Sequence, residues 1–437
     1  MKKVFKYAML FMAAGVLSTG FTSCSDDDND NSSEEQNTEI QTLTNQYLNN
    51  VVEPTYTSLA NETETLYQDI LALKVKLQAG TAVQQSEIDA ICASYKAARK
   101  YWEQSEAFLY GAASDFEIDP HIDTWPLDVP SLAKDLGNDS KIASLNTAAQ
   151  DGKARNYVSE ENLGFHGLEF IFFRNGKNRQ ATFFNNDARE DDENFSGVNV
   201  TGKEEVIFAA AVACDLRDKC WQLEVAWLGN KAAANHRQRV TEMSKVYDDF
   251  NTVVEKNQMS YGSNLVAVGK GSTYASWKKV VEEILVGGCS NICAEVADQK
   301  MGQAYRAATS SSPTYHEGED GEQEQDDPNY IESPYSHNSF NDFYDNIVSI
   351  QNSLYGNIEG SAWTNTSIMS YLHKHNAEKG HELDNKLKAA LSALQACKNS
   401  GVSFVEAPGA AHVKTAMDAI TELDDCLNAT SAWILAN

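Results

Sequence analysis

The chain has 437 residues, of which 42% are hydrophobic and 22% are charged, a composition typical of globular proteins. Its length allows two or three domains, and its 35 Lys and Arg against 63 Asp and Glu give a formal net charge of −28. This acidity argues against nucleic acid as a partner, because binding phosphates requires a basic surface.

The N-terminus has the features of an export signal. Lysines near the start precede an apolar stretch, residues 7–17, which is too short for a permanent membrane helix. Small and polar residues follow up to Cys24, and this region resembles a bacterial lipobox, whose cysteine is lipidated after cleavage. We predict a signal peptide over residues 1–23 and a lipid anchor on Cys24, with an ordinary signal peptide as the alternative.

Residues 24–37 are predicted to form a lipidated, acidic tether. The run SDDDND after Cys24 resembles the tag that sends lipoproteins of Bacteroidetes to the outer face of the cell; the alternative is a plain flexible linker. We therefore expect an exported lipoprotein of the outer membrane, exposed at the cell surface, with a periplasm-facing orientation as the alternative. The lipid would be its contact with the membrane.

The body of the chain shows the 3.6-residue periodicity of amphipathic helices. The predicted helices cover residues 40–77, 86–109, 158–174, 206–227, 237–254, 274–296, 340–354, 383–397 and 413–434. This pattern predicts an all-α fold with two helical-bundle domains that pack together and leave a cleft at their interface. We predict the domains at residues 38–258 and 259–437, with an acidic loop at residues 309–329 in the second.

The strongest chemical feature is the run GFHGLEFIFF at residues 164–173. On a helix, His166 and Glu169 share one face, and the apolar residues around them predict burial. A buried His and Glu need partners, because an unpaired buried charge is costly. Gly164 could let a neighbouring backbone or ligand approach. The alternative is a satisfied polar pair that fixes helix packing.

Glu106 is the candidate for a second carboxylate at this place. It interrupts the apolar stripe of Trp102 and Leu109, so its side chain should face inward. One His and two carboxylates suit a hard or borderline cation such as iron. Zinc is less favoured, since the chain has no HExxH motif. His121 lies among several acids and could reach such a site.

Four segments in chain order resemble motifs of the imelysin family. YKAARKYWEQSEAF, with Arg99 and Glu106, is similar to a first-domain helix motif, and Trp125-Pro126 is similar to a Trp-Pro loop. GxHxxE at residues 164–169 is similar to the family hallmark, and ESPYSHN from Glu332 is similar to a second-domain motif. The resemblance covers roughly residues 40–436.

The resemblance implies two helical-bundle domains in an exported protein linked to iron uptake. Some members of the family were classed as metallopeptidases with His-x-x-Glu as the proposed metal motif. Carried to this chain, the resemblance implies a centre at His166 and Glu169, with Glu106 as third ligand. The residues implied to line the site are Gly164, Arg99, Trp125, Glu332, Ser333 and Ser336.

Together these features predict a lipid-anchored protein that binds iron, haem or another small metal complex for uptake, with an outer-membrane component as partner. One alternative is a metallopeptidase that uses the His-x-x-Glu motif. The other is a non-catalytic surface interaction protein in which His166 and Glu169 form a structural pair. The sequence favours a binding protein over an enzyme and does not identify catalytic residues.

Overall fold

A computed structural model describes residues 30–186, 188–318, 321–358 and 360–437. The predicted signal peptide and Cys24 lie outside these residues. The described chain is helical from Asp30, so residues 30–37 of the predicted tether begin the first helix. Among the described residues, no helix combines the length and the apolar character needed to span a bilayer.

Helices make up most of the described chain, which confirms the predicted all-α fold. Those of the first half are α1 (Asp30–Tyr47), α2 (Glu53–Gln78), α3 (Gln85–Glu103), α4 (Ala112–Asp115), α5 (Ile118–Asp123), α6 (Val129–Leu136), α7 (Asp139–Asp151), α8 (Gly164–Phe172), α9 (Ala181–Asn185), α10 (Gly202–Leu228) and α11 (Ala234–Met243). Those of the second half are α12 (Tyr261–Leu265), α13 (Trp277–Glu282), α14 (Asn291–Ala294), α15 (Gly302–Thr309), α16 (Ser339–Tyr355), α17 (Ile368–His375), α18 (Ala377–Lys398) and α19 (Ala411–Ala436).

Short non-α segments connect these helices. Single 3-10 turns lie at Glu106–Phe108, Ala154–Asn156, Glu160–Asn162, Glu193–Phe195 and Gly229–Lys231. Within the described ranges, strands form two small antiparallel hairpins, β1 (Phe173–Arg174) with β2 (Lys177–Asn178), and β3 (Tyr315–Glu317) with β4 (Gln323–Gln325). Arg174 is opposite Lys177, and His316 is opposite Glu324. The second hairpin occupies the predicted acidic loop.

Three π-helical segments interrupt the α-helical pattern, at Leu48–Val52, Glu283–Ser290 and Glu295–Lys300. Glu283–Ser290 joins α13 to α14, and Glu295–Lys300 continues this helical run after α14, which explains why the apolar spacing there departs from 3.6 residues. A side chain on Gly288 would come within 2.0 Å of the carbonyl oxygen of Ala107, so this run packs tightly on the 3-10 turn after α3.

The centre of the first half is α10, which is buried along nearly its whole length and packs on α2, α7 and α8. Thr201 and Glu204 form a capping box at its start. In the second half α18 packs on α19 and α16, and α16 also contacts α3. One hydrophobic cluster extends from Ile40 to Ile434, so the described halves share a continuous core. The division at residue 258 stays a prediction.

Two predicted helices around the candidate site are shorter in the structure. The helix predicted for residues 158–174 begins at Gly164, because the backbone of Gly164 has a φ of +64°, which a helix interior cannot accommodate. The helix predicted for residues 86–109 ends at Glu103, and Glu106 lies in the following 3-10 turn.

Candidate functional site

Gly164 brings the start of α8 against the end of α5. A Cβ at this position would lie 1.9 Å from the carbonyl oxygen of Ile122, so only glycine allows this approach. Gly167 is similarly close to Asn162, where a Cβ would lie 2.3 Å from the carbonyl oxygen. The contact places His166 beside Asp123, the last residue of α5.

His166 is 1% exposed and lies between two carboxylates. Its Nε2 is 3.0 Å from Asp123 Oδ1, and its Nδ1 is 3.5 Å from Glu169 Oε2, but neither contact has the alignment of a hydrogen bond. Burial lowers the pKa of His166, but Asp123 and Glu169 outweigh it and raise the pKa to about 9. The pocket around the imidazole therefore favours a positive charge.

Glu169 ties α8 to the loop before α16. Its Oε1 accepts hydrogen bonds from the backbone N–H groups of Tyr335 and Ser336, at 3.1 and 2.7 Å, and from the Ser336 hydroxyl at 2.7 Å. Its Oε2 accepts none among the described residues. One oxygen is thus anchored by the second half of the chain, and the other faces His166.

Arg99, on α3, is the cation at the core of the site and is fully buried. It donates to Asp123 and Glu332, and its Nη2 lies 2.6 Å from Glu103 Oε1. Trp102 Nε1 donates to the second oxygen of Asp123 at 2.7 Å. Burial raises the pKa of Asp123, but Arg99 outweighs it and holds this pKa well below its usual range.

Lys300 enters the site from the π-helical segment Glu295–Lys300. Its Nζ lies 3.4 Å from Glu332, 3.7 Å from both Glu106 and Glu295, and 4.0 Å from Glu103. Burial raises the pKa of Glu106 well above its usual range, and Lys300 opposes this only in part. The same holds for Glu103, where Arg99 is the main opposing charge.

Two sets of side chains have the spacing of a metal site. The histidine group consists of Asp123, His166 and Glu332, and the glutamate group consists of Glu103, Glu106 and Asp123. In each set the three ligand atoms lie within 4.8 Å of one another, and Asp123 belongs to both. Nitrogen and carboxylate oxygen are ligands that iron accepts.

Several ligand atoms in these groups lack protein partners. Both ring nitrogens of His166, Glu106 Oε2 and Glu332 Oε2 are buried and make no hydrogen bond within the described part of the chain. Buried polar atoms are nearly always satisfied, so several unsatisfied ones within these two groups require an explanation. A cation bound at one ring nitrogen of His166 and the carboxylates grouped with it would satisfy part of this set, and the residues present fit such an ion.

The structure brings together most of the residues named from the sequence. Arg99 and Glu332 contact each other directly, and Ser336 contacts Glu169. Ser333 lies further from the centre of the site, and its hydroxyl donates a hydrogen bond to Asp342 at 2.5 Å. The ring centroid of Trp125 is 6.3 Å from that of His166. Trp125 packs on Tyr330, at 3.9 Å between ring centroids, and this half-buried pair adjoins the buried imidazole.

Glu106 reaches the site but in a different place from the predicted one. It groups with Glu103 and Asp123, whereas His166 groups with Asp123 and Glu332. His121 points away, because it pairs with Asp215 on α10.

Four side chains that the structure places in the candidate site were not named from the sequence: Glu103, Asp123, Glu295 and Lys300. Two of them had a local signal, since Glu103 is one helical turn after Arg99 and Asp123 lies two residues before Trp125. No local signal in the sequence identified Lys300, because its orientation depends on a π-helical segment.

Fold and site define an all-helical protein with a buried, carboxylate-rich centre around one histidine. The chain belongs to the imelysin family, also described as peptidase family M75: the family model matches residues 52–428.

Two crystal structures have a similar fold. One is a protein of Parabacteroides distasonis provisionally named iron-regulated protein A precursor, with a TM-score of 0.62 and 19% identity over 91% of this chain and 95% of that one. The other is an imelysin-like protein of Psychrobacter arcticum, with a TM-score of 0.53 and 12% identity over 91% and 96%.

A curated relative is similar in sequence over a shorter stretch. The chain is 32% identical over 135 residues to iron-regulated protein A of Synechococcus elongatus. This match covers 30% of the chain and spans about a third, 32%, of that relative.

Proposed function

We propose that this imelysin-family protein binds an iron ion as cargo at the histidine group. The observation that carries the proposal is the convergence of Asp123, His166 and Glu332, whose ligand atoms lie within 4.8 Å of one another in a buried position. The names of two relatives, which describe them as iron-regulated, support the choice of iron.

The residues around the ion would have separate tasks. His166 would supply a ring nitrogen once the ion has displaced its proton, and Asp123 and Glu332 would supply oxygens. Glu169, anchored by the Ser336 hydroxyl and two backbone N–H groups, would hold the imidazole in place. Arg99 would fix both carboxylates, because it donates to Asp123 and to Glu332.

An iron ion is a better match than haem for this position. The ligand side chains are at most 8% exposed, and Arg99, which is fully buried, lies between two of them. One described cavity of about 810 Å³ lies between α1 and α17, and another of about 520 Å³ lies beside Lys231 and Arg237, both lined by other residues. A bare ion needs only the ligand atoms that already converge.

Metal content tests this proposal directly. The purified full chain is dialysed against Fe(II), Fe(III) and Zn(II) in parallel and then analysed for metal, and haem is tested separately by absorbance. The variants are His166→Gln and, as matched control, His236→Gln. His236 is also buried and paired with a carboxylate, that of Glu224, but it lies outside the site.

We expect about one iron per chain in the wild type and in His236→Gln, and at least about tenfold less in His166→Gln at the same free iron. Circular dichroism must show that all three proteins are folded. A wild type without iron would overturn the proposal. Zinc binding together with peptide hydrolysis that His166→Gln abolishes would favour the metallopeptidase alternative.

We further propose that Cys24 carries a lipid that holds the protein at the outer membrane, facing outward. The support is the sequence around Cys24 and the acidic run after it. Metabolic labelling with a radioactive fatty acid should mark the wild type and not Cys24→Ser. Digestion by protease added to intact cells separates the surface-exposed orientation from the periplasm-facing one.

A further inference from the structure

The glutamate group resembles half of a two-cation centre. It shares Asp123 with the histidine group, and a shared carboxylate between two sets of ligands is typical of sites that hold two metal ions about 4 Å apart. Glu106 is 4% exposed, and its Oε2 has no hydrogen-bond partner in the described ranges. The group is therefore more than a cluster of acids, because a buried ligand atom in it is left unpartnered.

The Lys300 ammonium lies beside this second position. Its Nζ is within 4.0 Å of Glu103, Glu106, Glu295 and Glu332, and its side chain is 2% exposed. Three of these carboxylates are themselves almost fully buried, and Glu295 is half-buried. A unit charge held a few ångströms from the carboxylates competes strongly with any further cation, since the interaction varies as 1/r in a medium of low dielectric constant.

We infer that Lys300 is a built-in cation that occupies the second position of a two-cation site and limits the protein to one metal ion. This inference rests on the proposed function. The π-helical segment Glu295–Lys300 is the structural device that makes it possible, because it turns Glu295 and Lys300 toward the same carboxylates. Lys300 thereby prevents the glutamate group from binding a metal ion.

The test is the stoichiometry and affinity of Mn(II) binding by the full chain, followed by electron paramagnetic resonance of the free ion. We expect one Mn(II) per wild-type chain and two per Lys300→Met chain, with the first ion bound at least about tenfold more tightly in the variant. Lys300→Arg keeps the positive charge and should bind one ion. The double variant Lys300→Met/Glu106→Gln removes one ligand of the opened position and should also return to one.

The possible outcomes separate the two proposals. A wild type that binds neither Mn(II) nor, in the metal analysis above, iron would overturn the proposed function. A wild type and a Lys300→Met variant that both bind one ion with equal affinity would overturn this inference alone. If Lys300→Met is unfolded without metal, its melting temperature is measured with and without Mn(II) to decide whether the ion restores folding. Folding restored by Mn(II) in this variant supports the inference, and absence of rescue overturns it.

Discussion

The short helix α5 contacts two buried charge networks that behave in opposite ways. At its end Asp123 joins the site network with Arg99 and His166, while two residues earlier His121 joins a second network with Asp215 of α10. Both networks are buried except for the exposed carboxylate of Asp249 in the second, and both contain a histidine beside an aspartate. Their comparison shows which property of a buried charge network indicates function.

In the second network charges are matched. Arg155 donates to Asp215 at 3.0 Å and to Asp249 at 3.0 Å, and Lys219 donates to Asp249. Two carboxylates thus face two basic side chains, those of Arg155 and Lys219. Burial lowers the pKa of His121, and although Asp215 opposes this, Arg155 and Lys219 add to it, so the pKa remains below its usual value. The charges of this network therefore balance without a bound ligand.

In the site network acids outnumber cations. Arg99 and Lys300 are surrounded by the carboxylates of Glu103, Glu106, Asp123, Glu295, Glu332 and Asp342. The pKa of His166 is raised to about 9, the opposite direction from His121, because two carboxylates outweigh its burial. Burial of charge by itself is therefore no sign of function. A buried cluster in which acids outnumber cations and ligand atoms lack hydrogen-bond partners is such a sign.

Removal of the central arginine should give the largest effect. Arg99→Met leaves Asp123, Glu103 and Glu332 without their main counter-ion, so we expect a loss of about 3–5 kcal/mol in the free energy of unfolding. Arg155→Met should lower the free energy of unfolding by only roughly 1–3 kcal/mol. After this change Asp215 still has His121 as its partner, and Asp249 still has Lys219. Urea denaturation measures both. Equal losses would contradict the proposed difference between the networks.

The two aspartates should differ in metal affinity. Asp123→Asn removes a ligand shared by both groups, and we expect at least about a 100-fold loss in affinity for iron, or roughly 2.7 kcal/mol. Asp215→Asn should leave the affinity within about threefold, because Asp215 contacts His121 and Arg155 instead. Isothermal titration calorimetry measures both constants. A large loss in Asp215→Asn would show that the networks are coupled through α5.

Acid should unfold the matched network in a defined range of pH. Burial raises the pKa of Asp215, but His121 and Arg155 outweigh it and lower the pKa to about 2. The unfolded value is near 3.9, so the stabilisation is complete above about pH 4 and is lost as the pH falls toward 2. We expect a loss of about 2 kcal/mol between pH 4 and 2. Stability curves of the wild type and Asp215→Asn should converge over that range; parallel curves would contradict the prediction.

The smallest effect concerns the anchor of Glu169. Ser336→Ala removes one of three donors to Oε1 and leaves both backbone N–H groups, so unfolding should become easier by about 1 kcal/mol. Ser333→Ala, which breaks the bond to Asp342, is the comparison outside the Glu169 contact. We expect weaker iron binding only in Ser336→Ala. Unchanged iron affinity in that variant would mean that Glu169 needs no anchor.

Much of this arrangement could be predicted from the sequence, for physical reasons that are local. The helical periodicity predicted the all-α fold, because each stripe reports on the environment of its own helix. The apolar residues around His166 and Glu169 predicted their burial, and both are at most 1% exposed. The early end of α3 and the late start of α8 were missed, since they depend on a 3-10 turn and on the backbone of Gly164.

The composition of the site could not be predicted in the same way. Arg99 and Glu332 are 233 residues apart, and Lys300 reaches the same carboxylates only because a π-helical segment changes its direction. The sequence showed several acids near His121 but not its partner Asp215, 94 residues later in the chain, and so not how its charged surroundings differ from those of His166. The decisive difference is which cations of α10 and of the 3-10 segment after α7 approach His121.

The sequence by itself determined the helices, the burial of His166 and Glu169, and the family to which the chain belongs, because these depend on local pattern and motif. The tertiary structure alone decided that Asp123 is shared by two ligand groups, that Glu106 joins Lys300 rather than His166, and that His121 is satisfied elsewhere. The physical reason is that the energy of a buried charge depends on all the charges within a few ångströms, and these come from distant parts of the chain.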